Sequence, residues 1–228
     1  MTQPTDEFEG FDPRALALLA QMPAWDKDQY QQHRPLLAQG VTAPGLALIS
    51  TIAQSLDPEL TVTARGSVSP LHTDLRFAKP GAPKYKDHLL LTCWHGADKR
   101  QAPILWLRID AKRAGFASGV AFTPAVRDLW RHAIASNAGQ QLDEHLRRLT
   151  DERGAQIAGD TVANVPKPYP ADHPRGDLLR LKGFQVRFIE PLPTSVGDAE
   201  FARWCIERFE DLQPVHDWLH ANLCGGAE

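Results

Sequence analysis

The sequence has few of the features that mark secreted or membrane proteins. Its 228 residues include three cysteines, Cys93, Cys205 and Cys224, and an odd number without paired spacing argues against a disulfide framework. The first ten residues are acidic and polar, without the basic and apolar segments of a signal peptide. No stretch approaches the roughly 20 consecutive apolar residues that span a bilayer. We therefore expect a cytoplasmic protein with no membrane partner.

Motifs for common cofactors are also lacking. The chain contains no P-loop, no glycine fingerprint for dinucleotides, no nucleophile elbow and no kinase signature. It has no zincin motif, Cys-x-x-Cys pair or EF-hand loop, and its nine histidines are scattered. The sequence therefore predicts neither a cofactor nor a metal site.

The charge balance restricts the class of partner. Lysine and arginine number 25 against 28 acidic residues, which gives a formal net charge of −3 and an isoelectric point near 6.3. Proteins that bind nucleic acid through bulk electrostatics present a dominant basic face. Nucleic acid is therefore the least favoured partner, although a local basic pocket stays open.

Residue patterning predicts an α+β fold. Helix signals occupy both ends of the chain, and strand signals with period-two alternation or short apolar runs occupy its middle. Two predicted helices begin at Asp12-Pro13 and at Thr123-Pro124. The other predicted helices cover residues 26–38, 43–56, 142–149, 199–209 and 214–223. The predicted strands cover residues 60–65, 88–94, 104–109, 115–120 and 184–189. We expect one domain of 228 residues, with a helical part (1–58), a core (60–190) and C-terminal helices (198–224). A central, mainly antiparallel sheet should carry helices from both ends of the chain.

Three segments within residues 60–190 carry a resemblance to a known family. They are Gly66-Ser67-Val68-Ser69 with Asp74-Leu75-Arg76-Phe77 and Tyr85-Lys86; Gly119 with Phe122-x-Pro124 and Arg127; and Val165-Pro166-Lys167 through His173-Pro174 to Leu179 and Lys182-Gly183. Together they resemble the DUF2461 family, whose pattern has two arginines where this chain has Pro70 and Thr73. The resemblance implies a divergent member and assigns no reaction.

Asp74 and Arg76 form the first candidate site, because residues two apart in an extended segment point the same way. In one interpretation Arg76 binds an anionic ligand with its planar fork and Asp74 orients the ligand or takes part in catalysis. In the other, the two form an ion pair that holds an irregular loop to the body.

Lys86 and Arg127 extend this candidate. Lys86 and His88 share one face at strand spacing, and Arg127 follows the start of the Thr123 helix. If Arg76, Lys86 and Arg127 converge, they form a cationic pocket to which the helix start adds backbone donors. The alternative is a solvated basic surface.

Lys167, Tyr169 and His173 stand among four prolines, which suits a rigid loop that presents binding groups. His173 is the candidate for acid/base chemistry because the unperturbed pKa of histidine is near 6.5, and Lys182 completes the predicted ligand set. Alternatively, Tyr169 packs inward, and Asp172 or His173 caps the helix near Arg175.

Three classes of function fit these residues. The first is a protein that binds a small anion or phosphate ligand, with possible enzymatic activity. The second is a non-catalytic protein-interaction module with a protein partner, which requires an exposed apolar patch. The third is nucleic-acid binding through a local basic stripe.

Overall fold

The computed structural model describes residues 7–224. Its helices are α1 (Pro13–Leu19), α2 (Lys27–Leu37), α3 (Ala43–Leu56), α4 (Pro124–Ala135), α5 (Asn137–Arg153), α6 (Gly176–Leu179) and α7 (Glu200–Leu223). Its strands are β1 (Leu60–Thr61), β2 (His88–His95), β3 (Ile104–Asp110), β4 (Arg113–Ala121), β5 (Gln156–Ala158) and β6 (Gly183–Pro191). The predicted α+β class is confirmed.

The strands form one open antiparallel sheet in the order β1-β2-β3-β4-β6-β5. The middle strands were predicted within two residues of their observed ends. The predicted strand at residues 60–65 is too long, because the chain turns after Thr61. There the Ser67 hydroxyl accepts from the backbone N–H of Thr63 (3.0 Å), and the backbone N–H of Ser67 donates to the Thr63 carbonyl (2.9 Å). The sequence did not predict β5, which pairs with β6 through Ile157 opposite Val186.

Side-chain caps start the helices at the predicted places. Asp12 caps α1 by accepting from the N–H of Arg14, and Pro13 follows at the first helical position. In the same way Thr123 caps α4 by accepting from the N–H of Val126 before Pro124 takes the first turn. At the C-terminal end of α5, Gly154 adopts a left-handed conformation that ends the helix.

Two prolines lie inside helices. Pro35 lies inside α2, and the helix continues through a π-helical turn at Ala38–Thr42 into α3. Pro214 lies inside α7, so the two predicted C-terminal helices are one. A proline inside a helix costs about 3 kcal/mol. Phe209, Leu212 and Val215 are completely buried on either side of Pro214, and this packing offsets the lost hydrogen bond.

The described chain divides into two compact units. The first contains the described residues through Cys93, with Trp106–Gly115 and Ile189–Arg208. Its aromatic core joins Phe8, Phe11 and Phe201, with ring centroids 5.3–6.3 Å apart. The second contains Trp94–Leu105, Phe116–Phe188 and the described residues from Phe209 onward. The predicted number of domains stays a prediction.

The helical stretch Lys27–Leu56 bears on the membrane prediction. Its length and composition would let it cross a bilayer, yet 56% of its most apolar part is buried inside the structure. Leu48, Ile49 and Ile52 are completely buried, as in the core helix of a soluble protein, which passes the same test of length and composition. The predicted absence of a membrane partner and the predicted cytoplasmic location stay predictions.

Gly10 provides a test of the packing in the first unit. It has a φ of +119°, and a Cβ at this position would overlap the backbone carbonyl of Gly197. We expect Gly10→Ala to lower the free energy of unfolding by more than about 3 kcal/mol, because backbone atoms cannot move aside. Gly154→Ala is the control, since Gly154 also has a positive φ but has no atom close to such a Cβ. It should cost only the strain of about 1–2 kcal/mol. Equal costs in urea unfolding would contradict this account.

Candidate functional site

Asp74 and Arg76 lie in a turn rather than in the predicted extended segment. The Asp74 carboxylate accepts from the backbone N–H of Arg76 (3.1 Å), and the Phe77 N–H donates to the Asp74 carbonyl (3.2 Å). The Arg76 guanidinium then binds the same carboxylate through Nε (2.9 Å) and Nη2 (2.7 Å). These bonds to Arg76 lower the pKa of Asp74 to about 2. The Nε and Nη2 edge of the Arg76 guanidinium is therefore already occupied by a carboxylate from its own turn.

Lys86 connects two segments of the first unit. Its Nζ donates to the Pro70 carbonyl (2.8 Å), and burial lowers its pKa. Its backbone N–H donates to the Leu71 carbonyl (2.8 Å). Lys86, two residues before β2, is thus bonded to the Pro70-Leu71 segment that leads into the Asp74 turn.

Arg127 lies on α4 in the second unit, one helical turn before Arg131. The Nε atoms of both arginines are buried, and within residues 7–224 neither has a hydrogen-bond partner. Arg127 forms an ion pair with Asp128, in which the Nε-to-Oδ1 distance is 3.9 Å and the Asp128 side chain is 75% exposed. Two adjacent guanidinium groups therefore have donors that the described protein does not satisfy. The sequence analysis missed Arg131, although its i, i+4 spacing from Arg127 was a usable signal.

Trp130 fixes the position of both arginines. It is completely buried, and its Nε1–H donates to the Leu178 carbonyl (2.9 Å). At 100° per residue, Arg127 and Arg131 lie 40° apart on the helix and beside this buried face. Their stems consequently run along packed surface, which accounts for the burial of Nε in side chains that are only half-buried.

In the proline-rich loop of the second unit, His173 bonds to the backbone just before α6. His173 Nδ1 accepts from the backbone N–H of Arg175 (3.1 Å), which is the residue before α6. Arg175 in turn donates to the carbonyls of Ile134 (2.7 Å) and Ser136 (3.1 Å). This bond meets the residue before the helix rather than an N–H of its first turn, and α6 has no side-chain cap at Arg175. Both the capping and the catalytic interpretations of His173 therefore stay predictions.

The other predicted residues of this region are placed as follows. Lys167 and Lys182 are exposed, and Tyr169 is half-buried with its backbone N–H bonded to the Pro166 carbonyl (3.1 Å). His173 lines a cleft of about 420 Å³ together with Asn164, Asp177 and Arg180. In this cleft Arg180 is paired with Asp177 at 2.6 Å. Convergence of the whole predicted ligand set stays a prediction.

A charged network in the first unit surrounds His88. Its Nδ1 lies 2.6 Å from Asp87, and Arg108 bridges Asp87 (3.1 Å) and Asp110 (2.9 Å). Burial lowers the pKa of His88 and outweighs the opposite effect of Asp87. Burial acts to raise the pKa of Asp110, but bonds from backbone N–H groups and from Arg108 outweigh it and lower that pKa. We assign a neutral His88 whose Nδ1–H donates to an ionised Asp87.

Histidines also meet in the interior of the second unit. His216 and His220 are one turn apart on α7, a spacing whose significance the sequence analysis missed. His216 lies 3.2 Å from the Ser118 hydroxyl through Nδ1 and 3.3 Å from His95 Nδ1 through Nε2. The His95 ring stacks on His220 with centroids 4.2 Å apart. In the part of the chain that the structure describes, no group of His, Cys, Asp or Glu fits a metal ion.

Comparison with known proteins gives one result on family. The model of a conserved hypothetical protein family, DUF2461, matches residues 20–218. A search of curated proteins finds no match to the sequence.

The His88 network predicts a dependence of stability on pH. Because the pKa of folded His88 lies below its ordinary value of 6.5, the unfolded chain binds a proton that the folded chain does not. The free energy of unfolding should therefore fall as the pH drops below about 6.5. In urea unfolding between pH 7 and pH 5, His88→Gln should show a smaller fall than the wild type. The exposed His132 offers the control His132→Gln, which should behave as the wild type; an unchanged fall in His88→Gln would contradict the assignment.

Proposed function

The chain belongs to the DUF2461 family of conserved hypothetical proteins, a membership that assigns no reaction, and we propose that it binds a small anion at Arg127 and Arg131. The proposal rests on one observation, the pair of buried Nε donors without a partner in residues 7–224. An unsatisfied buried donor costs about 1–3 kcal/mol, and more when it is charged. An anion that binds the exposed part of each guanidinium would offset the charge of both side chains.

The like charge of the two arginines supports the same conclusion. Two cations at i, i+4 on a helix repel each other by about 0.2–0.5 kcal/mol. The exposed Asp128, at 3.9 Å, is too distant for a hydrogen bond to Arg127. An anion between the two guanidinium groups would convert this repulsion into attraction.

The chemistry of guanidinium restricts the ligand class. Its planar fork matches the paired oxygens of a carboxylate or a phosphate. A carboxylate presents one edge of paired oxygens and so matches one fork, whereas the additional oxygens of a phosphate can receive a second fork from another side, which favours phosphate. We therefore propose a phosphate group, free or carried on a small molecule, as the preferred ligand.

The proposal covers binding and does not assign catalysis. Asp74, one predicted catalytic residue, is bonded to Arg76. His173, the other, uses Nδ1 to accept from the backbone of Arg175. These contacts favour structural roles for both residues.

A second candidate function, a protein-interaction module, is favoured by a different observation. Leu75 is 53% exposed and Phe77 is 86% exposed in one loop of the first unit. Exposed apolar side chains next to each other are typical of interaction surfaces.

Arg131→Leu tests the proposed anion site. In the wild type, inorganic phosphate at about 100 times its Kd should raise the free energy of unfolding by about 2.7 kcal/mol. In Arg131→Leu this response should disappear. The variant should also be more stable than the wild type in phosphate-free buffer, because a charged donor without a partner is gone. Thermal unfolding in phosphate, sulfate and acetate series would measure both effects.

Arg148→Leu serves as the control for this experiment. Arg148 is also a helical arginine of the second unit, but it is 53% exposed and pairs with Glu152 on its own helix. It should keep the full phosphate response. An equal response in Arg131→Leu, or no anion response in the folded wild type, would overturn the proposed function.

A further inference from the structure

The docking loop, which we define as residues 73–84, presents apolar side chains to solvent. Phe77 is 86% exposed and Leu75 is 53% exposed. Single exposed apolar residues are common on protein surfaces. Here two stand at the tip of one loop, which makes the tip a candidate contact.

The base of the docking loop is held in place. His72 and Tyr85 pair across it as an antiparallel bridge, and the Thr73 N–H donates to the Lys84 carbonyl (2.8 Å). The Tyr85 ring is buried and stacks on Tyr30 with centroids 4.3 Å apart and an interplanar angle of 10°. A loop fixed in this way loses little conformational entropy when it binds.

The tip is also ordered by its own contacts. The guanidinium carbon of Arg76 lies 5.5 Å from the centroid of the Phe77 ring, while the same guanidinium binds Asp74. A cation over an aromatic face is a stabilising arrangement. Phe77 is thus supported on one side and free on the other, as an anchor residue at an interface is.

The docking loop is basic in an acidic protein. It contains Arg76, Lys79 and Lys84 against one carboxylate, Asp74, while the whole chain has a net charge of −3. Lys79 and Lys84 are exposed. Its counterpart should therefore combine an apolar pocket with an acidic rim.

The chain itself carries a cleft with these properties. A cleft of about 520 Å³ in the first unit is lined by apolar residues that include Phe11, Leu36 and Ala47. The exposed residues Glu7 and Glu9 also line this cleft. A third acidic residue of the lining, Asp12, forms an ion pair with Arg14 at 2.8 Å. We call this the acidic cleft. Its volume lies in the range of pockets that bury small ligands, which is enough for a phenylalanine and a leucine side chain.

We infer that the docking loop of one molecule inserts Phe77 into the acidic cleft of a second copy. Since Phe77 is 86% exposed, it does not fill the acidic cleft of its own chain. Two different surfaces meet in such a contact, so the association is head-to-tail and builds a ring or an open chain. A contact made by one loop falls in the small class of interfaces, and the expected Kd is on the order of 100 µM.

A lipid bilayer is a less suitable occupant for the docking loop. Asp74 lies within the tip and stays ionised, and inserting it beside anionic headgroups would be unfavourable. An acidic protein cleft contacts Phe77 and the lysines while Asp74 remains paired with Arg76.

Sedimentation velocity from about 10 µM to about 1 mM would test the inference, because this range brackets the expected affinity. The wild type should associate reversibly, and added salt should weaken the association. Phe77→Ser should raise the Kd at least about tenfold, since it removes the anchor side chain. The control Ile157→Ser removes another exposed apolar residue, in the second unit, and should associate as the wild type does.

A charge exchange identifies the two surfaces. The loop variant Lys79→Glu/Lys84→Glu and the cleft variant Glu7→Lys/Glu9→Lys should each be monomeric, because like charges then face each other. An equimolar mixture should associate, since each loop meets a cleft of opposite charge. Failure of the mixture to associate, a monomeric wild type, or undiminished association of Phe77→Ser would overturn the inference. A monomer that binds vesicles of phosphatidylcholine and phosphatidylserine through Phe77 would assign the loop to a membrane instead and would equally overturn it.

Discussion

The second unit depends on how Trp130 is held. Its indole N–H donates to the Leu178 carbonyl (2.9 Å), and its ring packs against Phe122, Phe184 and Trp218 at centroid distances of 4.9–5.8 Å. A buried indole without a hydrogen-bond partner is costly, so this bond fixes both the depth and the rotation of α4. The rotation of α4 in turn determines where Arg127 and Arg131 lie.

Arg127 and Arg131 differ from several other arginines of the chain, whose guanidinium groups donate to nearby carboxylates or carbonyls. Arg14, Arg76 and Arg100 each bind the aspartate two residues earlier, with a backbone bond that closes the same turn. Such exposed local pairs contribute little stability, and they already use the Nε and Nη2 donors of each guanidinium. The Arg175 guanidinium donates to the backbone carbonyls of Ile134 and Ser136 at the C-terminal end of α4. Against this background, buried Nε atoms without a described partner favour an external anion.

Local chemistry made much of the fold predictable. Asp12-Pro13 and Thr123-Pro124 indicate helix starts, because the capping residue and the proline act within one helical turn. The strands β2, β3 and β4 were predictable because their apolar runs are short and continuous. Prediction was wrong where distant packing decides, as at Pro214, whose neighbours are buried deeply enough to keep α7 intact. It was also wrong at Asp74, where a side-chain bond to the backbone replaced extended structure by a turn.

The candidate site was predictable only in part. Arg127 was selected for its place after a helix start, but Arg131 was not, because the burial of a single side-chain nitrogen depends on how α4 is rotated. The partners of His173 and Arg76 are backbone and carboxylate groups nearby in sequence, and the residues alone could not decide between those partners and a ligand. His216 and His220 had a readable spacing, but their contacts with Ser118 and His95 depend on residues about 100 positions away.

The most direct measurement is the NMR signal of the arginine Nε–H groups during a titration with inorganic phosphate. Signals lost in Arg127→Gln and in Arg131→Gln identify the two groups. We expect both signals to shift and to saturate together, because one anion bound by the two guanidinium groups changes the electrostatic environment of both Nε–H groups. Signals that stay unchanged, while the protein remains folded at high phosphate concentration, would contradict the claim that α4 carries an anion site.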